Sequence, residues 1–298
     1  MSGSLTPVFE PGFFSSSPVH VALIVGGVVA IVSGVVGTFT VLRGQSFAGH
    51  SLADIGTAGG SAAFLVGISP LYGFVTMNLV AAGAMELIGI RRPRGRDLAT
   101  GIVLGAALGL AALFLYWDTT STSTTGATIN VLFGSIFELP SSLVPVIAVF
   151  SVVAGGIILV IYRPLLLSSL SPDLAATRGV PVRLVGIGYL VALAVAVSLS
   201  AVTIGAILST ALLIGPAATA LRLTRRAGLA MAMAAAIGVA AVWLGVLLAY
   251  DSYYWRPSHH GGPVSFFVVT LVFVFYLIVN FSVGRSQRRG RAASAGAA

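Results

Sequence analysis

Residues 43–64 read RGQSFAGHSLADIGTAGGSAAF. His50 and Asp54 stand four residues apart there, in a segment built mostly from small and apolar side chains. Positions i and i+4 share a helix face, so an imidazole and a carboxylate would look the same way. An ionisable pair inside a membrane span is expensive to bury and by default marks a functional site. The remaining charges single this pair out. Of eight Asp and Glu residues only Asp54 and Glu86 fall inside apolar runs, and of four histidines only His50 lies well inside one.

Working outward, the chain is 57% hydrophobic and 8% charged, with a mean hydropathy of +1.03. Soluble domains carry roughly 25% charged residues, so the composition specifies an all-α, polytopic integral membrane helical bundle. A span needs about 20 apolar residues. Nine stretches meet or approach that length: 19–42, 46–67, 71–90, 98–117, 142–162, 184–200, 203–220, 228–249 and 264–283. The weakest is 203–220, interrupted by Gly215-Pro216, where proline removes a backbone hydrogen bond and kinks or breaks a helix. Without it the count is eight.

Orientation follows from arginine. The net charge is +8 and all sixteen cations are Arg, set in short connectors between apolar runs. With nine spans, fifteen of them fall on one side and only Arg256 on the other. Under the positive-inside rule this predicts an external N-terminus and a cytoplasmic C-terminus. That distribution makes the cations topology determinants, and no nucleic-acid partner is needed. The expected organisation is an external segment 1–18, a transmembrane domain 19–284 and a basic, disordered cytoplasmic tail 285–298. Residues 1–17 lack a basic start and contain Pro7 and Pro11, which argues against a cleavable signal.

Two absences bound the chemistry. There is no cysteine, which excludes disulfides and thiolate metal sites and leaves imidazole, carboxylate and thioether. There is no lysine, so a Walker A phosphate loop cannot exist and any ATP chemistry must sit on another polypeptide.

The external connectors are DTTSTSTTGATIN (118–130) and DSYYWRPSHHGGP (251–263), the latter with the aromatic character of an interfacial belt. Residues 128–139, TINVLFGSIFEL, are too short to span and predict an external or re-entrant helix. Gly56 and Gly60 form a small-xxx-small pair for close helix contact. The longest cytoplasmic connector, 163–183, contains Ser171-Pro172-Asp173 as a helix start and Gly179 then Pro181 as a stop. The short exposed helix PDLAATRG between two spans suggests a docked partner.

Four segments resemble the permease subunits of ABC importers for zinc, manganese or iron ions. GTFTVLRGQSFAGHSLADIGTAGG (37–60) is similar to the family's first-span exit and its Asp-x-x-x-His signature. RGRDLATGIVLGAALGLAALFL (94–115) is similar to its fourth-span entry, LSPDLAATRGVPVRL (170–184) to its ATPase-docking helix, and TIGAILSTALLIGPAATALRL (203–223) to its Pro-Ala-Ala-Thr-Ala segment. The resemblance covers roughly 9–283. It departs at one point: the family order is Asp then His, whereas here His50 precedes Asp54, and the family's Leu-Pro-Gly reads Thr57-Ala58-Gly59.

The resemblance implies a multi-pass plasma-membrane transport subunit without catalytic activity or a resident cofactor. It implies a homodimer or paralogous pair in membrane lipid, a separate ABC ATPase, and an external metal-binding receptor or lipoprotein. Asp173, Leu174, Ala175 and Gly179 become the coupling contact with the ATPase. His50 and Asp54 become a transient site for passing Mn2+ or Zn2+, ligand types that suit both ions. In a two-fold dimer they would supply two imidazoles and two carboxylates. Their alternative is a hydrogen-bonded pair that fixes helix packing. Gly215 and Pro216 read as a gating hinge or as a plain kink. His259 and His260, with Asp251 nearby, form an external mouth that funnels cations or meets the receptor, or are inert loop residues. Glu86, five residues before Arg91, reads as paired or snorkelling, and His20 as interfacial. The five methionines form no soft-metal cluster.

Two other functions compete. A proton-coupled secondary metal transporter would use His50 and Asp54 as a relay, but no clear inverted repeat is visible. An intramembrane hydrolase needs a serine near a histidine, and Ser51 beside His50 points to a different helix face.

Overall fold

The computed structural model describes residues 13–89, 93–121, 126–134, 136–253 and 261–295. These form twelve α-helices and two short 3-10 turns, with no strand among the described residues. Nine helices are long: α1 Ser17–Leu42, α2 Ser46–Leu65, α3 Pro70–Gly89, α4 Pro93–Ser121, α6 Val144–Val160, α9 Val182–Ile204, α10 Ala206–Leu223, α11 Ala227–Ser252 and α12 Val264–Ala295. Three are short: α5 Gly126–Phe133, α7 Tyr162–Leu170 and α8 Pro172–Thr177. Among the described residues, seven of the long helices hold a stretch long and apolar enough to cross a membrane, whereas α2 does not. In α2 the shortfall comes from its Gly, Ser, Thr, His50 and Asp54 content. The chain is a polytopic helical membrane protein.

Helix α9 is the centre of the bundle. All residues from Ala192 to Ile204 are buried, as expected for a helix that is apolar all round. Helices α4, α6 and α12 lie at the periphery and turn Ile102, Val152, Val160, Phe273 and Phe281 outward. In hydrocarbon such faces cost nothing, and the helical backbone satisfies its own polar groups. Three polar contacts tie α9 to its neighbours. Ser33 of α1 shares a hydrogen bond with Ser200 at 2.8 Å. Asn78 of α3 donates to Ser198 at 2.9 Å. The Tyr189 hydroxyl donates to Thr40 of α1 at 3.0 Å. Arg43 lies over the Tyr189 ring, 5.1 Å from its centre, and its Nη1 donates to Ser168 of α7 at 3.3 Å.

Glycines set the closest approaches. A Cβ on Gly59 of α2 would collide with the Gly73 carbonyl oxygen of α3, and one on Gly60 with the Phe74 ring. A Cβ on Gly56 would come within 2.8 Å of Asn78 Oδ1 and Phe74 Cδ1. The small-residue face predicted in α2 is therefore the face that receives α3.

The structure corrects the sequence reading in several places. Helix α10 runs unbroken through Pro216, and the chain instead turns at Gly205 (φ 93°, ψ 152°), the single residue between α9 and α10. The expected span 203–220 thus begins on the far side of an elbow. A Cβ at Gly205 would strike the Leu132 carbonyl oxygen at the end of α5, and Gly134 (φ 78°) packs against the Gly205 nitrogen at the same point. The connector 163–183 opens with α7, which follows α6 after a one-residue irregularity at Ile161. Helix α12 continues through 285–295, where composition predicted an irregular tail. Asp118 and Asp251, read as loop residues, are buried because α4 and α11 extend past their apolar runs to Ser121 and Ser252.

Candidate metal-translocation site

Helix α2 starts after a tight turn at 43–45, with Gly44 at φ 64°. Its first turn lies against three helices. A Cβ on Gly49 would meet Leu213 of α10 at 3.0 Å, Thr40 of α1 at 3.5 Å and Leu193 of α9 at 3.9 Å. The absence of a side chain at Gly49 brings the next residue, His50, alongside α10.

His50 Nε2 then lies 3.5 Å from Asp54 Oδ2, across one turn of α2 as the spacing predicted. His50 Nδ1 lies 3.2 Å from the Thr210 hydroxyl oxygen of α10. The imidazole is 48% exposed and the carboxylate 21%, so the pair opens outward and is not sealed in the core. The Thr57 hydroxyl donates to the backbone carbonyl of Asp54, one turn further along. Among the described residues no group of three or more His, Cys, Asp or Glu side chains converges. One chain therefore offers an ion two donors, one nitrogen and one carboxylate. Imidazole and carboxylate both suit borderline first-row divalent ions, and the outward opening leaves room for water or a second chain to add ligands.

The other predicted residues are dispersed. Gly215 and Pro216 lie on α10 beyond Thr210, and a Cβ on Gly215 would run into Val272 of α12, so this glycine permits close packing in an unbroken helix. Pro216 still gives no N–H to the carbonyl four residues earlier. Glu86 lies in the last turns of α3 and does not join the pair in a group of three, and His20 lies in the first turn of α1. His259 and His260 lie outside the described residues.

Around Asp173 the predicted short helix is present as α8. Its cap is Ser171, whose hydroxyl accepts from the Leu174 N–H at 3.3 Å. Pro172 occupies the first helical position and Asp173 the first turn. Gly179 at φ 75° ends the helix, and the Val180 N–H returns to the Ala175 carbonyl at 3.0 Å. This is the left-handed stop that glycine favours. Ala175 is fully buried and Leu174 is 46% exposed. The helix is thus anchored on one side and presents a leucine on the other.

Sequence reasoning missed Thr210, Gly205 and the Arg43 cluster. Each depends on a neighbour far along the chain, and only Gly205 leaves a local signal, a lone glycine between two apolar runs.

With this geometry in view, residues 17–280 match the sequence profile of the ABC 3 transport family. The chain belongs to that family. It is 28% identical over 267 residues to the manganese transport system membrane protein MntC of Listeria monocytogenes, covering 89% of this chain and 92% of that one. It is 30% identical over 251 residues to MntC of Halalkalibacterium halodurans, covering 83% and 84%. Among solved structures it resembles PsaBC from Streptococcus pneumoniae in complex with Fab, with a TM-score of 0.76 and 27% identity over 90% of this chain and 92% of that chain. The four segments quoted above fall on α1–α2, α4, α7–α9 and α9–α10 of this chain.

Proposed function

We propose that this chain is the membrane-spanning permease subunit of an ATP-driven importer for a divalent transition-metal ion, manganese or zinc. The observation that carries the reading is family membership across 17–280, which includes the outward-opening pair His50–Asp54. His50 and Asp54 act as a transient cargo site: the carboxylate offsets the cation's charge and the imidazole adds a nitrogen donor. The relatives named for manganese transport favour Mn2+, and the donor pair suits Zn2+ equally.

Nine spans cross the membrane, α2 and α3 included, with the N-terminus outside and the C-terminus in the cytoplasm, in accord with fifteen of sixteen arginines on one side. An external receptor delivers the ion. Helix α8, on the cytoplasmic side, docks a separate ATPase through Leu174, with Ser171, Asp173, Ala175 and Gly179 holding its shape. Two permease chains face each other in the assembly, and the second chain's pair completes the coordination that one chain leaves unfilled. His259 and His260 stand on the external side, at the entrance.

The test is uptake of radiolabelled manganese and zinc by the permease reconstituted with its ATPase and receptor. ATP-dependent uptake of either ion, lost in His50→Ala and Asp54→Ala at matched expression, is expected. Normal uptake by both single variants would end the assignment of the site.

A further inference from the structure

We propose that Thr210 of α10 is the positioning residue for His50, accepting the imidazole Nδ1–H when Nε2 turns its lone pair to a cation. The inference rests on the reading of His50 and Asp54 as the cargo site. Its geometry is independent of that reading. The two ring nitrogens have different partners on different helices: Nε2 faces Asp54 on its own helix at 3.5 Å, and Nδ1 faces the Thr210 hydroxyl at 3.2 Å.

A neutral imidazole carries one N–H and one lone pair, and a hydroxyl serves either as donor or acceptor. Two arrangements satisfy the contact. If the Thr210 hydroxyl donates to Nδ1, the proton sits on Nε2 and points at the Asp54 carboxylate. The pair then satisfies itself and offers an ion no nitrogen. If Nδ1–H donates to Thr210 Oγ1, the Nε2 lone pair lies beside the carboxylate. Two electron-rich donors then face one space with no proton between them, an arrangement that a divalent cation stabilises. Metal-binding histidines commonly give their second ring N–H to such an outer acceptor, and its loss costs roughly 10–100-fold in affinity.

The contact crosses from α2 to α10, so it also makes the site conditional on how those helices sit. Close packing sets that distance. Gly49 lets α2 approach Leu213, and a Cβ on Gly37 of α1 would strike the Leu213 carbonyl on the same helix. A displacement of α10 that parts Thr210 from Nδ1 frees the ring to turn and to take its proton to Nε2, which lowers the site's hold on the ion. Binding and release thus follow the α2–α10 contact without any change in His50 or Asp54 themselves.

The test compares Thr210→Val, which keeps the shape and removes the hydroxyl, with Thr210→Ser, which keeps the hydroxyl and removes the methyl. The readout is equilibrium binding of radiolabelled manganese to the permease–ATPase complex in nanodiscs, with ATP-driven uptake at saturating receptor measured in parallel. Thr210→Val should weaken manganese binding by about 10–100-fold, and Thr210→Ser should stay near wild type. Both should keep an unchanged thermal midpoint. If Thr210→Val binds like wild type while His50→Ala and Asp54→Ala do not bind, the positioning role is wrong and the cargo site stands. If the loss follows the methyl, with Thr210→Ser the weaker binder, Thr210 acts by packing and the inference fails. If His50→Ala and Asp54→Ala both bind and transport normally, the cargo-site reading falls and takes this inference with it.

Discussion

At the scale of single residues, His50 and Asp54 differ in what they give a passing ion. Both donate electrons, but only Asp54 brings a formal charge that offsets part of the cation's own, and it is the less exposed of the two. Asp54→Ala should therefore reduce uptake more than His50→Ala, with both folded as judged by thermal midpoint. The double variant His50→Asp/Asp54→His restores the family order with the same donors on the same face. It should still transport, but with manganese bound about 10–100-fold more weakly, because the imidazole at position 54 no longer meets Thr210; wild-type binding would count against the positioning role of Thr210. The spacing of the pair was legible because helix period alone puts i and i+4 together. Thr210 was not, since it lies 160 residues away and only packing brings it near. Gly205 makes the same point about backbone. Its φ of 93° and ψ of 152° fall in a region open essentially to glycine alone, and a Cβ there would strike α5. Gly205→Ala should cost strain on the order of 1–3 kcal/mol plus the collision. Gly44→Ala, at φ 64° with nothing near a Cβ, should cost only about 1–2 kcal/mol. Equal thermal midpoints for the two would mean that α5 does not rest on the elbow.

At the scale of elements, α8 shows how little sequence is needed to define a short helix when both ends are marked. Ser171 and Gly179 were readable as start and stop, because capping and left-handed termination are local properties. The division of labour at the start was less clear from sequence: the hydroxyl of Ser171 closes the cap, while Asp173 adds charge to the first turn. Ser171→Ala should then cost α8 about 1 kcal/mol, more than Asp173→Ala, and Gly179→Val should disturb the stop. In the reconstituted complex both Ser171→Ala and Gly179→Val should lower transport-coupled ATP hydrolysis while leaving the ATPase subunit's own basal rate intact. Unchanged coupling in both would remove α8 from the ATPase contact. Helix α10 teaches the opposite lesson. Proline inside an apolar run signals a break by its chemistry, yet here the helix absorbs it, held from three sides by close contacts at Gly37, Gly49 and Gly215. The turn falls one element boundary earlier, at Gly205, where α5 covers it.

At the scale of the whole molecule, nine apolar stretches in the sequence correspond to nine long helices among the described residues, because a bilayer-sized apolar run dictates a helix whatever its neighbours. Composition could not say which of them reach both membrane faces. Helix α2 falls short in apolarity because it carries Gly, Ser and Thr residues together with His50 and Asp54, and α3, packed against it, carries the buried Asn78. They are also consecutive, so a seven-span and a nine-span arrangement place every other connector on the same side, and the arginine count alone cannot separate them. The turn between them can. Ile68 lies there and is 52% exposed. The chain has no cysteine, so an introduced one is the only thiol. With nine spans, Ile68→Cys should react with a membrane-impermeant maleimide in intact cells, as should Pro140→Cys between α5 and α6. Thr177→Cys on α8 should react only after the membrane is permeabilised. If Ile68→Cys is shielded from outside while Pro140→Cys is labelled, α2 and α3 form a hairpin that enters and leaves from the cytoplasmic side. The His50–Asp54 pair would then open toward the cytoplasm alone, and a cargo ion could reach it only after passing the rest of the bundle.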